Sequence, residues 1–348
     1  GHPAPPWSPL LLVLGAGQAA SAAREVWGWA MRQSDYADAS RQLEANPGLF
    51  DGVFMWCGLE VNTTEPTRPS LYLGEAYRSP ACQDFCAKAK RLGLPLHMGI
   101  SVDVSPKVTP LGLEGEMDMS GIVESSIALA REHGWSGFNL DDESSRHNPD
   151  AFAAWVHDLG KWASKLQTSG LRLTVDVQSL TSSACSPWPS CLPPRGQQPS
   201  GDLKPALARI RALLGSSPVH RWIEMDTYYH DLAFFRENLD WYTKWLIPED
   251  KLGMGVCPNH DCNPTSPDET RARFEAVNRT AVPEIDIWRL PLDAGTDSIW
   301  LPKLRAWKRG LSGVSALGDQ WPDGHLRKAA ARRAAPAAEA DRLVVRTS

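Results

Sequence analysis

The chain has 348 residues, a formal net charge of −5 and an ordinary apolar content of 42%. That length fits one large barrel or two ordinary domains, and the lack of a basic stripe in the folded part excludes a nucleic-acid binder. No stretch reaches the roughly 18 apolar residues of a membrane helix, so no membrane span is predicted. Fifteen Trp against six Tyr suit either sugar stacking or core packing.

The first 24 residues form a separate segment. They are rich in proline, continue into the apolar run Leu10–Leu14 and end in small residues at Ala20–Ala22. This order is typical of a signal peptide, although a buried strand or a disordered arm is also compatible with it. We therefore predict a signal-like or disordered segment over 1–24, a catalytic domain over 25–312, and an Ala- and Arg-rich tail over 313–348.

From residue 25, strand-like apolar runs alternate with helical segments. The predicted strands are Val26–Ala30, Gly52–Gly58, Leu94–Ser101, Phe138–Glu143, Leu171–Ser179, Arg221–Tyr229, Lys251–Cys257 and Glu284–Leu290. The predicted helices are Asp35–Ala45, Cys82–Leu92, Ser120–His133, Pro149–Gln167, Leu203–Leu214, Leu232–Trp245, Pro267–Asn278 and Ile299–Lys308. Eight such units predict an α/β protein, a single (β/α)8 TIM barrel. A doubly wound sheet is the alternative, although no G-x-G-x-x-G follows the first strand.

Four strand-to-helix connections are long, namely 59–81, 102–119, 180–202 and 258–266. In a barrel these connections lie on the C-terminal face of the strands, where active sites of this fold are built. Candidate catalytic residues are therefore expected near the C-terminal ends of strands.

The fourth predicted strand ends in three acids, Asp141, Asp142 and Glu143. Strand alternation places Asn139, Asp141 and Glu143 on one face, and crowded carboxylates hold a proton more tightly, which suits a general acid. Spacing alone leaves a second interpretation open, a loop of acids ahead of the next helix.

The stretch Ser136–Glu143 resembles the D-G-x-D-x-D-x-E signature of family-18 glycoside hydrolases, with matches at Gly137, Asp141 and Glu143. Ser136 and Asn139 replace the first two aspartates, and Asn in the second position is similar to the chitobiase-like branch. The resemblance implies that Glu143 protonates the glycosidic oxygen and that Asp141 orients the sugar's 2-acetamido group. The substrate's own carbonyl is then the nucleophile, so no second catalytic carboxylate is required.

The same resemblance suggests further site residues. Tyr228 lies where the family has a tyrosine that donates to the acetamido group, with Asp226 nearby, and Trp288 resembles the tryptophan beneath the sugar. Asp176 and Gln178 alternate on the fifth strand as sugar-hydroxyl partners, and Asn139 is counted with the substrate-binding residues. The third strand matches the chitinase S-x-G-G motif poorly, which argues against a processive chitinase.

The resulting prediction is a monomeric glycosidase that cleaves N-acetylglucosamine-containing glycans and uses no cofactor and no metal. Two alternatives remain. One is a catalytically silent glycan-binding relative. The other is a barrel enzyme that depends on a divalent metal held by Asp141, Asp142, Glu143, Asp176 and Asp226.

Six of the seven cysteines occur in close pairs. The spacing predicts disulfides Cys82–Cys86, Cys185–Cys191 and Cys257–Cys262, with Cys57 free; zinc binding by the last pair is the less favoured alternative. Sequons at Asn62 and Asn278 join the cysteines in favouring a secreted or lysosomal (luminal) glycoprotein.

Overall fold

Eight parallel strands close into a barrel with helices between them, which confirms the predicted (β/α)8 fold. The computed structural model describes residues 23–62, 64–65, 68–102, 119–142, 149–177, 203–225, 231–259, 267–293 and 297–310. The barrel elements within this part run from Glu25 to Lys308. The predicted N-terminal segment up to residue 22 and the predicted tail lie outside it and stay predictions.

The strands are β1 Glu25–Ala30, β2 Gly52–Asn62, β3 Ser70–Leu73, β4 Leu96–Val102, β5 Gly137–Asp142, β6 Arg172–Val177, β7 Arg221–Glu224, β8 Leu252–Val256 and β9 Glu284–Leu290. All except β3 are parallel neighbours around the barrel. The first and last strands close it, with Glu25 opposite Glu284 and Val26 opposite Ile285. Closure leaves the eight parallel strands without an open edge.

The helices are α1 Tyr36–Ala45, α2 Pro80–Arg91, α3 Ser120–His133, α4 Pro149–Thr168, α5 Leu203–Ser216, α6 Leu232–Trp241, α7 Pro267–Asn278 and α8 Asp297–Lys308. Local sequence fixes several of their ends. Ser79 accepts from the Cys82 amide ahead of Pro80 at the start of α2, and Asp231 accepts from the Phe234 amide at the start of α6. Gly134 ends α3 with φ 72°, a left-handed conformation that favours glycine.

Two apolar clusters follow from strand alternation. Outward-facing strand residues such as Met55, Leu140 and Ile285 are fully buried and pack in the large cluster shared with the helices. Inward-facing Trp27, Trp29, Phe54 and Ile223 form a second cluster inside the barrel. Each strand therefore contributes to both layers, as parallel strands covered on both faces must.

The structure differs from the sequence-based prediction on the long connection after the second strand. Instead of a loop beginning at Leu59, β2 continues to Asn62 and pairs antiparallel with β3. Gly58, at φ 71°, marks an irregularity between the register at Met55 and at Leu59. The result is a hairpin that extends β2 beyond the C-terminal end of the barrel.

The predicted pairing of Cys82 with Cys86 is wrong, and so is the prediction that Cys57 is free. Cys57 on β2 is bonded to Cys82 on α2, with Cα atoms 6.3 Å apart, and Cys86 has a free thiol. Cys82 is fully buried against the sheet, whereas Cys86 lies one helical turn later and contacts the Met55 sulfur at 3.5 Å. The predicted pairs Cys185–Cys191 and Cys257–Cys262 extend outside the described residues, although Cys257 itself is disulfide-bonded.

Among the described helices, none has both the length and the apolar character needed to cross a bilayer.

Replacing Cys82 by Ser should lower the free energy of unfolding by about 2–4 kcal/mol, because the bond closes a long loop in the unfolded chain. Cys86→Ser should cost much less, since it breaks no covalent link. Chemical denaturation of both variants measures the difference. Tryptic mapping without reduction of Cys86→Ser should still join the Cys57 peptide to the Cys82 peptide. Finding these two peptides separate would show that the assigned pairing is incorrect.

Candidate active site

The barrel interior is polar on one side and aromatic on the other. Alternation along the strands sends one set of side chains inward: Trp27, Trp29, Phe54, Trp56, His97, Asn139, Asp141, Thr174, Asp176, Ile223, Met225, Cys257, Glu284, Asp286 and Trp288. Their order along each strand sets their depth. Trp29, Asp141, Asp176, Met225 and Trp288 lie toward the C-terminal end, where active sites of this fold are found.

Asn139 is the centre of a buried hydrogen-bond network. Its Oδ1 accepts from Trp29 Nε1 at 3.3 Å, and its Nδ2 donates to Thr174 Oγ1 at 3.2 Å and to Asp176 Oδ1 at 2.8 Å. The indole can only donate, so it fixes which end of the amide faces β6. Asn139, which stands where the family-18 signature has its second aspartate, thus orients the Asp176 carboxylate from below.

Asp141 lies one inward position above Asn139, near the C-terminal end of β5. Its register partners on the two neighbouring strands are Ser101 on β4 and Asp176 on β6. Asp141 is partly exposed, and its Oδ1 is buried, whereas Asp176 is 2% exposed. Two carboxylates on adjacent strands therefore face the same inner volume, with Asp141 nearer the opening.

Aromatic rings line the opposite wall. Trp288 on β9 lies edge-on to Trp29 at 5.7 Å between ring centroids, and it packs against Met225 and Cys257. Trp29 in turn contacts Phe54 at 5.3 Å. This arrangement places Trp288 over an apolar base and within the same inner volume as Asp141, a geometry that suits stacking against a sugar ring.

Two buried carboxyl groups lie below Trp288 on the same face of β9. Burial raises the pKa of Glu284 to about 7, and Arg221, whose Nε lies 3.1 Å away, opposes that rise. Burial, followed by the Glu284 and Asp176 charges, raises the pKa of Asp286 well above its usual range. Gly253 on the neighbouring strand makes room for Asp286, because a Cβ there would lie 2.6 Å from Asp286 Oδ2.

Glu284 and Asp286 are not among the predicted site residues, although the sequence contains a signal for them. A tryptophan that lies beneath the sugar, as predicted for Trp288, has to face the barrel interior, and residues two and four positions earlier on a strand share that face. Both carboxyls could therefore have been placed beneath the site from the sequence. Their environment could not, because it depends on Arg221 and Asp176 from other strands.

The N-terminal end of the barrel is closed by a second polar group. Glu25, His220 and Glu284 bring potential metal-ligand atoms within 4.8 Å of one another. Burial, then Arg221, Arg172 and Lys251, lowers the pKa of His220 to about 3. These positive charges disfavour the binding of a divalent metal for the same reason that they disfavour protonation of His220. We therefore interpret the three residues as a structural group whose charges are neutralised by neighbouring cations.

His97 belongs to the same end of the barrel. It is fully buried, and burial lowers its pKa well below the usual range, so the ring is neutral near pH 7. Its imidazole packs 4.6 Å from the Trp27 ring. His97 therefore acts as part of the aromatic packing under the site.

Several predicted site residues lie outside the described part of the chain: Glu143, Gln178, Asp226 and Tyr228. Their assigned roles stay predictions, as do the substrate contacts predicted for Asn139 and Asp176. The structure brings Asn139, Asp141, Asp176 and Trp288 into one inner volume. A surface depression of about 590 Å³ at the start of α6, lined by Asp231, Leu232, Ala233, Arg236 and Glu269, includes none of them.

Comparison with known proteins identifies the fold. No protein-family model matches the sequence, and no curated protein matches it. A class V chitinase from Pseudomonas fluorescens Pf-5 superposes with a TM-score of 0.54 at 15% identity, over 83% of this chain and 100% of that one. The spore cortex-lytic enzyme SleL of Bacillus megaterium gives 0.55 at 14%, over 80% and 73%.

A family-18 chitinase from Cycas revoluta, in complex with (GlcNAc)3, gives a TM-score of 0.52 at 16% identity, over 82% of this chain and 99% of that one. At such low identity these likenesses establish the fold alone. The barrel fold that the resemblance of Ser136–Glu143 implies is therefore confirmed.

The raised pKa of Glu284 predicts how stability depends on pH. The folded state holds a proton that the unfolded state releases above its ordinary pKa of 4.5, so stability should fall as pH rises from about 4.5 to about 7. Glu284→Gln should flatten this slope and gain about 1–3 kcal/mol relative to the wild type at pH 8. The exposed carboxylate variant Glu75→Gln is the control. Urea denaturation at a series of pH values gives the free energy of unfolding as a function of pH. If this free energy fell equally steeply in wild type and Glu284→Gln, Glu284 would not be the group responsible.

Proposed function

We propose that the chain is a divergent family-18 glycoside hydrolase that cleaves N-acetylglucosamine-containing glycans with retention of configuration. The observation that carries this proposal is the position of Asp141, which faces the barrel interior two residues before Glu143 and beside Asp176. Asp141 thus lies near the C-terminal end of a barrel strand, where active sites of this fold are found. The shared fold with solved family-18 chitinases supports the proposal.

The sugar is held between the two walls of the interior. Its apolar face stacks on Trp288, which rests on Trp29, Met225 and Cys257. Its 2-acetamido group points to Asp141 on the opposite wall. Asn139 and Asp176 lie beneath Asp141 and are joined to each other by the 2.8 Å bond, so they keep the polar wall rigid while the substrate exchanges.

Cleavage begins when Glu143 donates its proton to the glycosidic oxygen. As the bond to the leaving group breaks, the acetamido carbonyl oxygen attacks the anomeric carbon and forms a cyclic oxazolinium ion. The Asp141 carboxylate stabilises the positive charge that develops on the acetamido nitrogen. Glu143 then takes a proton from water as the water opens the ring, which restores the acid and retains the configuration.

Two alternatives are tested by the same assays. A silent glycan-binding protein would bind N-acetylglucosamine oligomers without cleaving a chromogenic chitobioside; the replacement of two signature aspartates by Ser136 and Asn139 motivates this reading. A metal-dependent enzyme would lose activity in a chelator and regain it with magnesium or calcium. Under our proposal the chitobioside is cleaved and chelation has no effect.

We further propose that the protein is a monomer and works in a secreted or lysosomal compartment. The Cys57–Cys82 bond supports such a location, because stable disulfides are typical of oxidising environments.

Replacing Glu143 by Gln tests the central assignment. The amide keeps the shape of the carboxyl group but gives up no proton, so kcat on a chitobioside should fall by roughly 10²–10⁴-fold. Affinity for chitotriose, measured by calorimetry, should stay within about threefold, because the stacking wall and the polar wall are unchanged.

Glu132→Gln, an identical change at an exposed site on α3, is the matched control and should leave kcat unaltered. Full activity of Glu143→Gln would remove that residue from the mechanism. Loss of chitotriose binding together with activity would point to misfolding, which the unfolding transition of the variant detects.

A further inference from the structure

Trp288 lies two residues before the end of β9, and the strand end and the turn that follows it are held from two sides. On the outer side, Gln42 of α1 accepts from the Leu292 amide at 2.9 Å and donates to the Leu292 carbonyl at 3.4 Å. The Arg289 side chain lies 3.5 Å from Asp35 in an ion pair. These contacts fix the turn to α1, but none of them reaches the side of the turn that faces β8.

On that side a single side chain makes three hydrogen bonds. Asn259 Nδ2 donates to the Arg289 carbonyl at 2.7 Å and to the Pro291 carbonyl at 3.3 Å, and Asn259 Oδ1 accepts from the Asp293 amide at 3.1 Å. Asn259 is 3% exposed. Buried backbone groups without partners are costly, so this amide satisfies what the turn cannot satisfy internally.

The chemistry of the contact requires asparagine. The two N–H groups of Asn259 donate to two carbonyls, and its oxygen accepts from one amide. All hydrogen-bonding groups of the side chain are therefore used, except the second lone pair of the oxygen. An aspartate would aim a negative oxygen at both carbonyls, and alanine would leave them without donors. Three residues after β8, Asn259 also follows disulfide-bonded Cys257, which packs against Trp288.

We propose that Asn259 is a positioning residue that holds the Trp288 ring in place for the sugar. It binds the carbonyl of Arg289, the residue directly after Trp288, and it ties the end of β8 to the end of β9. The amide acts through the turn and touches no substrate. This inference rests on the proposed function for what Trp288 does, but not for how Trp288 is held.

The test compares wild type with Asn259→Asp, which keeps the size of the side chain and removes both donors. Hydrogen exchange should become faster over residues 288–293, and chitotriose should bind about 3–10-fold more weakly, which is the range expected when an aromatic stacking contact is misaligned. In hydrolysis, KM should rise by the same factor with kcat little changed, since stacking is made equally in the ground and transition states.

The pH dependence tests whether the missing hydrogen-bond donors cause the weaker binding. Once protonated, the carboxyl group of Asn259→Asp can donate one hydrogen bond to a carbonyl. The ratio of its affinity to that of the wild type should therefore rise toward one as pH is lowered. A variant that is less stable but still folded would bind chitotriose as tightly as the wild type, and a urea unfolding curve at each pH shows whether the variant is folded.

Lys251→Met is the matched control. Lys251 Nζ also joins two backbone carbonyls, those of Ser217 and Val219, each at 3.0 Å, but it does so at the opposite end of the barrel. It should lower stability while leaving exchange at 288–293 and chitotriose affinity unchanged.

The outcomes distinguish the two proposals. Unchanged exchange over 288–293 in Asn259→Asp overturns the positioning role, whatever the protein does to sugars. If the wild type binds chitotriose and Asn259→Asp binds it with the same affinity, the positioning role is overturned as well. A wild type that neither binds nor cleaves N-acetylglucosamine oligomers overturns the proposed function, and the exchange measurement then decides the positioning role alone.

Discussion

Pairing of β1 with β9 closes the sheet, and the site depends on that closure. A closed barrel leaves the inward-facing side chains of eight strands to satisfy one another, with little help from water. The interior shows how this is met. The Asn139 side-chain amide is hydrogen-bonded to Trp29, Thr174 and Asp176. Glu284 lies beside the Arg221 guanidinium. Asn139 and Asp176, which lie beneath Asp141, are thus held by hydrogen bonds that cross between strands.

The interior also separates charge by depth. Carboxyl groups below the site hold protons more tightly than usual, because burial raises the pKa of Glu284 and of Asp286, and the Glu284 and Asp176 charges raise the pKa of Asp286 further. The base of the barrel contains neutral His97 packed among aromatic rings. Asp141, one layer higher and partly exposed, lies where a carboxylate can meet a substrate. Under the proposed mechanism, the cation that forms at the opening would lie beside Asp141, whose carboxylate would stabilise it.

Much of this architecture could be predicted from the sequence because it depends on local periodicity. Alternating apolar runs gave the eight strand–helix units, and a period of two gave the shared face of Asn139 and Asp141. The β2–β3 hairpin escaped prediction because β3 is only four residues long. The Cys57–Cys82 bond escaped because spacing favours near neighbours, whereas the fold brings α2 against β2 across 25 residues.

The role of Asn259 could not have been found in the sequence at all. Its partners are backbone carbonyls and an amide, which every residue possesses, so no pairing of residue types reveals the contact. Polar side chains that position a site through contacts with backbone groups can be identified only from a structure, because the sequence contains no signal for such contacts. By contrast, the acids to which the proposed mechanism assigns roles are conspicuous in the sequence, because three follow one another at the end of a predicted strand.

The most direct test of the central claim is the effect of fluorinating the substrate's acetamido group. Aryl β-glycosides of N-acetylglucosamine with zero to three fluorines on the acetyl methyl group differ mainly in the nucleophilicity of the carbonyl oxygen. If that oxygen attacks the anomeric carbon beside Asp141, kcat/KM should fall steeply with each fluorine. Equal kcat/KM across the series would show that a protein carboxylate or a water is the nucleophile, and would contradict the account.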